Sequence, residues 1–330
     1  MPPVPSTYRQ EAPFALQVEL VEGCNLRCSF CGLNGIRGKE NNFKFMSDEM
    51  VAMVVDRLEE AEWHPRMEFA MHGEPSQHPR LIACLDALSK TQCQMMMTSN
   101  GAGFMRNVGL VDDALEYLNI LALDWYEGVM IVPKILEQYK GQHTPIRYPQ
   151  DPTGNPHRRR KLTEHLFVII QDIEKAEKGT HSHINNHAGA GAPKNSDGVG
   201  KRCAKPFREM SIRWDGSVAV CCNDWRGEYK CGNIADRSLE EIWNGAAFQS
   251  ARRKLYHGIR DFGPCNGCDA TSYRVGLLPD KKGLVNLPLP SAADERAIQA
   301  ALAGPPLTLP VLRPWEMDEV KQVKPTSDAG

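Results

Sequence analysis

The sequence predicts an α/β fold, a partial (β/α)6 barrel followed by a small cysteine-rich domain. Three observations predict it. Short apolar runs alternate with helical patterns over the first 200 of the 330 residues, the rhythm of βαβ units and a parallel sheet. Beyond about residue 200 that rhythm gives way to hairpin and turn signals. The eleven cysteines are grouped, three within 24–31 and six within 203–268.

In chain order, Phe14, Leu16, Val18 and Leu20 alternate with other residues as a strand does. Ser47 caps a helix to about Glu62, with Asp48 and Glu49 in its first turn and Met50, Val54, Leu58 and Ala61 as its apolar stripe. Strand signals follow at Met67–Met71, at Gln94–Thr98 (closed by Ser99-Asn100-Gly101), at Asn119–Leu123 and at Leu166–Gln171. Helical patterns separate them at Pro79–Lys90, Val108–Leu118 and Val129–Tyr139, and a polar stretch interrupts at 141–160. His183–Asn185 is a candidate sixth strand. Six units are too few for an eight-stranded barrel, so the barrel is open, with its chemistry at the C-terminal strand ends. After 200, the run Ser211 to Val220 is a hairpin turning at Asp215-Gly216. Ser238-Leu-Glu-Glu241 is a capping box opening a helix to about His257. The expected organisation is an N-terminal segment 1–14, a barrel 15–200, a cluster domain 201–278 held more by metal than by core, and a Pro-rich tail 279–330 with one short helix near 292–303.

An apolar fraction of 42% fills a core, and a net charge of −2 excludes a global basic field for nucleic acid. No apolar run approaches the roughly 20 residues that span a bilayer. The start, MPPVPSTYRQEAP, is no secretory signal. A cytoplasmic, reduced chain is expected, in which grouped cysteines are metal ligands or catalytic thiols.

Cys24, Cys28 and Cys31 have the spacing C-x3-C-x2-C. Three thiolates in one loop hold three corners of a 4Fe–4S cube and leave the fourth iron open. A zinc loop completed by His64, His72 or His78 is the competing reading. With Phe30 before the last cysteine, the segment resembles the radical S-adenosylmethionine (SAM) signature C-x3-C-x-Φ-C. The resemblance implies a radical SAM barrel with Phe30 beside SAM, and SAM bound on the open iron. It also implies reductive cleavage to a 5′-deoxyadenosyl radical, hydrogen abstraction from substrate, and a flavodoxin- or ferredoxin-type reductant. Met71-His72-Gly73-Glu74-Pro75 resembles the family's GGEP motif, with His72 in the first glycine position. It implies Gly73, Glu74 and Pro75 around the SAM amino group. Ser99 and Asn100 close the next strand, where the family meets the SAM carboxylate or ribose. Asn185 and Asn186 fall where related enzymes place a polar SAM motif.

Cys203, twelve residues, Gly216, four residues and Cys221 precede Cys265-Asn-Gly-Cys268. This resembles the SPASM and twitch domains, which bind auxiliary 4Fe–4S clusters. With no cysteine after Cys268, the single-cluster form is implied, ligated by Cys203, Cys221, Cys265 and Cys268. Zinc competes here too, since four cysteines with C-x2-C also suit it. Cys222 points to the opposite face from Cys221 in a strand, so one of the two ligates, and the G-x4-C spacing favours Cys221. Cys231 is a candidate hydrogen-atom donor or simply a buried thiol, and Cys84 and Cys93 read as core.

Asp124 and Tyr126 end the fourth strand and are candidate substrate contacts, or a packed aromatic and its neighbour. The basic run His157–Lys161 reads as a solvated loop or a phosphate contact, and His181, His183 and His187 as a loop at the SAM edge. The substrate expected is a small sugar or aminocyclitol, oxidised or epimerised. Alternatives are a peptide, a nucleoside or hypermodified DNA base, and a non-catalytic iron–sulfur or zinc scaffold. About 15 residues precede the first strand, too few for a fused leader-peptide domain there.

Overall fold

The computed structural model describes residues 12–37, 42–126, 128–147, 165–171, 186–191 and 202–270. A nine-stranded sheet organises them. Its parallel part runs β9 (Glu209–Ile212), β1 (Ala15–Val18), β4 (Arg66–Phe69), β5 (Met95–Ser99), β6 (Ile120–Tyr126), β8 (Leu166–Gln171) and β7 (Thr144–Arg147). β10 (Ser217–Ala219) and β11 (Lys230–Asn233) extend it antiparallel beyond β9. A separate two-stranded ribbon pairs β2 (Val21–Glu22) with β3 (Lys44–Phe45). This is the α/β, mostly parallel architecture the sequence predicts.

The helices arise where the caps and stripes place them. α1 (Asp48–Ala61) starts at Ser47, whose Oγ accepts the Met50 N–H at 3.2 Å. α2 (Leu81–Ser89), α3 (Leu110–Leu115) and α4 (Ile131–Gln138) follow. Pro133 is tolerated in α4 because a first-turn residue has no intrahelical N–H bond to lose. Strand alternation divides the sheet into two faces. Leu16, Val18, Met67, Phe69, Met95, Met97, Leu121 and Leu123 pack with Val54, Leu58, Leu85, Val111 and Ile135 of the helices. The opposite face carries Gln17, Glu19 and the small cluster Ala122, Phe167 and Ile169.

Three elements differ from the sequence reading. β7 lies inside the stretch read as polar, and it is the edge strand beyond β8 among the described residues. There Pro145 costs no ladder bond on its open side, which is why strand propensity did not reveal it. The helix expected to run unbroken to His257 is two, α6 (Leu239–Trp243) and α7 (Ala246–Tyr256), parted at Asn244-Gly245. The capping box of α6 is present in both directions, Ser238 with the Glu241 N–H and Glu241 with the Ser238 N–H. A short α5 (Lys205–Arg208) leads into β9. The candidate strand His183–Asn185, the basic run 157–161 and the tail 279–330 lie outside the described residues. No helix among the described residues is long and apolar enough to cross a membrane.

The cysteine-rich domain joins the barrel through its backbone. β9 pairs with β1 along Ala15↔Glu209 to Val18↔Ile212, so the sheet is continuous from barrel to cluster domain. The turn from β9 to β10 places Gly216 at φ 77°, a left-handed conformation that glycine adopts without strain. The glycine of the spacing pattern thus has a backbone reason in this chain.

Candidate functional site

β1 leads through β2 into the loop that carries Cys24, Cys28 and Cys31. That loop, the segment after β4 and the ends of β5 and β6 wall one cavity at the C-terminal edge of the sheet. The cavity encloses about 670 Å3 of empty space including its open mouth. Its lining includes Cys24, Cys28 and Cys31, Phe30, Gly73, Glu74, Ser99, Asn100, Asp124 and Tyr126, together with His72 and Trp225. The structure therefore brings the first cysteine group to the same cavity as most of the residues expected around SAM.

The donor set suits an iron–sulfur cluster. Burial, then Glu74 and the adjacent thiols Cys31 and Cys28, push the Cys24 thiol up to about 12. Burial and Cys31 push Cys28 up to about 11. Three neighbouring thiols in this setting keep their protons until a cation displaces them, and iron does that. Cys24 Sγ already accepts hydrogen bonds from the Leu26 N–H and from Asn100 Nδ2, both at 3.3 Å. Among the described residues no three Cys, His, Asp or Glu side chains close tightly on a single metal ion. A cube of four irons takes its thiolates at separate corners.

Glu74 is the most constrained carboxylate of the site. Its Oε1 accepts from the Ser76 N–H at 2.9 Å, from Ser76 Oγ at 2.6 Å and from Ser99 Oγ at 2.5 Å. Among the described residues its Oε2 accepts only the Asn100 N–H, at 2.6 Å. Each carboxylate oxygen has two lone pairs, so Oε2 keeps capacity for one more donor. Burial raises the Glu74 pKa against these lowering hydrogen bonds, and a cationic donor would relieve that cost. Pro75 starts the turn behind Glu74 and is absent from the cavity wall. Gly73 pairs with Gly23, and a Cβ on it would lie 2.1 Å from the Val21 carbonyl oxygen. Gly73→Ala should therefore cost about 1–3 kcal/mol of stability by overpacking and displace Glu74, measurable as a lowered melting temperature of the apoprotein.

Phe30 meets Tyr126 at a ring-centroid distance of 5.8 Å, and the Tyr126 hydroxyl donates to Asp124 Oδ2 at 3.4 Å. Burial, then Asp124 and the three thiols, hold the Tyr126 phenol well above its ordinary range, so it stays a hydrogen-bond donor. His72, in the position where the family motif has glycine, is fully buried. Its Nδ1 lies 2.7 Å from Glu19 Oε1 and its Nε2 donates to the Cys222 carbonyl at 2.8 Å. Burial alone would raise Glu19, but His72 and then Arg213 together hold it below its ordinary value. The histidine thereby ties β1, the Glu74 loop and the cluster domain together.

The second group gathers Cys203, Cys221, Cys265 and Cys268. Burial, then Cys222 and Cys265, raise the Cys221 thiol, and burial, then Cys203 and Cys268, raise Cys265. Cys222 faces away, its Sγ 3.2 Å from Lys205 Nζ. Arg260 braces the loop, donating to the carbonyls of Cys268 at 2.7 Å and Ala270 at 2.8 Å.

Two expectations need correction. Asn186 is not at the cavity wall. Its Nδ2 donates to the Gly267 carbonyl at 2.7 Å and its Oδ1 accepts the Asp269 N–H at 3.2 Å, so its amide is spent on the second cysteine loop. Asn185 lies outside the described residues. Cys231 is buried in the apolar core and does not line the cavity, which removes the geometric basis for hydrogen donation to a bound substrate. Cys84 and Cys93 are core residues, as expected. Sequence reasoning missed Trp225 as a cavity residue, since nothing in the spacing marks the position four residues after Cys221.

Residues 203–269 match the SPASM family, an iron–sulfur cluster-binding domain. None of the curated proteins matches the chain in sequence. Among solved structures, BtrN in complex with AdoMet and 2-DOIA is similar at 16% identity and a TM-score of 0.61, covering 81% of this chain and 96% of that one. BtrN in an open conformation is similar at 16% identity and a TM-score of 0.54, covering 81% and 99%. SuiB of Streptococcus suis bound to precursor peptide SuiA overlaps more loosely, at 14% identity and a TM-score of 0.39 over 78% of this chain and 70% of that one. The domain match bears out the resemblance read at the second cysteine group and favours an iron–sulfur cluster over zinc there, and the BtrN structures share the fold.

Proposed function

We propose that this radical SAM protein of the SPASM and twitch type cleaves SAM reductively and removes a hydrogen atom from a small polar substrate. The observation that carries the reading is the convergence of Cys24, Cys28 and Cys31 with Glu74 and Asn100 on one cavity, while a second four-cysteine site lies apart in the SPASM domain. A cluster bound there would supply the electron for reductive cleavage of SAM. Cys24, Cys28 and Cys31 would hold that cluster, and Cys203, Cys221, Cys265 and Cys268 the auxiliary one.

The chain's own residues do the rest. Glu74 Oε2 accepts a hydrogen bond from the SAM amino group and orients the methionine part. The Asn100 amide donates to Cys24 Sγ and stabilises the thiolate form of that ligand. Phe30 and Tyr126 form an apolar wall that excludes water from a reactive carbon radical. Asp124, with Tyr126, presents a carboxylate and a hydroxyl that suit a hydroxyl- or amine-bearing substrate. Similarity in fold to BtrN supports a small polar substrate over a peptide.

Two measurements test this reading. In the reduced protein, SAM should perturb only the paramagnetic resonance signal that is lost in Cys24→Ala. A deuterated aminocyclitol or sugar should then pass deuterium to 5′-deoxyadenosine. Transfer from a peptide instead would retain the chemistry and replace the substrate class.

A further inference from the structure

The segment Asn186–Gly191 touches both cysteine loops. On one side, His187 Nδ1 accepts the Gly32 N–H at 2.8 Å, directly after Cys31. On the other, Asn186 holds the Cys265–Cys268 turn by three bonds. Its N–H donates to Asp269 Oδ1 at 2.8 Å, its Nδ2 to the Gly267 carbonyl at 2.7 Å, and its Oδ1 accepts the Asp269 N–H at 3.2 Å. Two consecutive residues thus grip the backbone beside a ligand of each cluster.

The grip is tight and held against local preference. A Cβ on Gly191 would lie 2.5 Å from the Phe30 carbonyl oxygen, so the two segments meet backbone to backbone. His187 and Ala188 have φ of 48° and 55°. Histidine visits this left-handed conformation more often than most residues, but alanine does not favour it, and two such residues in succession persist only where surrounding contacts impose them. The imidazole also stacks on Trp225 at 5.1 Å, and Trp225 stands 4.5 Å from the His72 ring, whose Nε2 donates to the Cys222 carbonyl. Packed rings therefore also tie this segment to the Glu74 loop and to the residue after Cys221.

We infer that Asn186 and His187 are positioning residues that couple the two cluster sites, so that filling the auxiliary site tightens SAM binding at the first. The inference rests on the proposed function, since it takes both loops as cluster loops. The physical cause is shared backbone. An empty Cys265–Cys268 turn loses its anchor, Asn186 loosens with it, and the Gly32 N–H loses a fixed acceptor beside Cys31.

A double-mutant cycle on the full chain tests it. SAM affinity and the midpoint potential of the first cluster are measured anaerobically with and without Cys265→Ser/Cys268→Ser. In the native background, loss of the auxiliary cluster should weaken SAM binding by about 5-fold or more, the lower edge of ordinary coupling between sites, and shift the potential. In Asn186→Leu, SAM binding should already be weakened and the serine pair should add nothing. His187→Asn keeps an acceptor and tolerates the left-handed backbone, so it should retain the coupling through Gly32 even though the stack on Trp225 is lost. Should Asn186→Leu not fold, His187→Leu removes the acceptor for Gly32 and the ring stack on Trp225 while leaving the bonds of Asn186, and runs the same cycle. An equal loss in both backgrounds, or none in the native one, would overturn the inference. Failure of the native protein to load iron at the first loop would instead contradict the proposed function, and iron analysis separates the two cases.

Discussion

Cys28→Ala should yield a folded protein that binds about half the iron and sulfide of the native chain and shows SAM cleavage at background level. Cys24, Cys28 and Cys31 lie on a loop at the cavity rather than in the apolar core. Replacing one leaves the core packing intact. No other cysteine lines that cavity among the described residues, so no thiol is placed to substitute. Metal analysis, sulfide analysis and circular dichroism on the reconstituted variant check the result. Cys265→Ala should behave differently. It removes a buried thiol packed against Leu255, so a loss of stability accompanies the loss of auxiliary iron. Full iron loading of Cys28→Ala would mean that the first group is no cluster site.

Glu74→Gln should weaken SAM binding by roughly 10- to 100-fold while leaving both clusters in place. The estimate converts the roughly 1.5–3 kcal/mol of a charge-assisted hydrogen bond. Oε1 is saturated by Ser76 and Ser99, whereas among the described residues Oε2 accepts only the Asn100 N–H, so the amide loses the acceptor open to the ligand amino group together with the Asn100 bond. Glutamine preserves volume and one acceptor, which keeps the buried hydroxyls paired. Glu74→Ala is a poorer test, because it strands those donors and lowers stability by several kcal/mol. Equilibrium dialysis of the loaded protein reads the affinity. An unchanged affinity in Glu74→Gln would make the carboxylate a purely structural hub.

Much of this organisation was legible in the chain. Ser47, the alternation around Leu16 and Val18, and the capping box at Ser238 are local signals, and each produced its element near the expected place. The cysteine spacings carry a coordination geometry, so they are readable without the fold. What stayed hidden depends on contacts between distant segments. β7 is a strand because β8 offers it an edge, and its Pro145 argues locally against it. Asn186 was read toward SAM because a polar motif falls there in relatives, yet its hydrogen bonds run to Gly267 and Asp269, more than 80 positions away. His72 looked like a small departure from a glycine motif, whereas burial against Glu19 and Cys222 makes it a link between the barrel and the cluster domain. Trp225 had no signature at all, and only the approach of the SPASM domain to the cavity gives it a place there.

The most direct test of the central claim is release of 5′-deoxyadenosine from SAM by anaerobically reconstituted protein under reductant, with Cys24, Cys28 and Cys31 all replaced by alanine as the control. The account predicts release by the native chain and none by the triple variant, which should keep its auxiliary iron. A fully loaded native chain that releases none, with or without deuterated sugar, aminocyclitol or peptide present, would contradict it and leave a cluster-bearing scaffold.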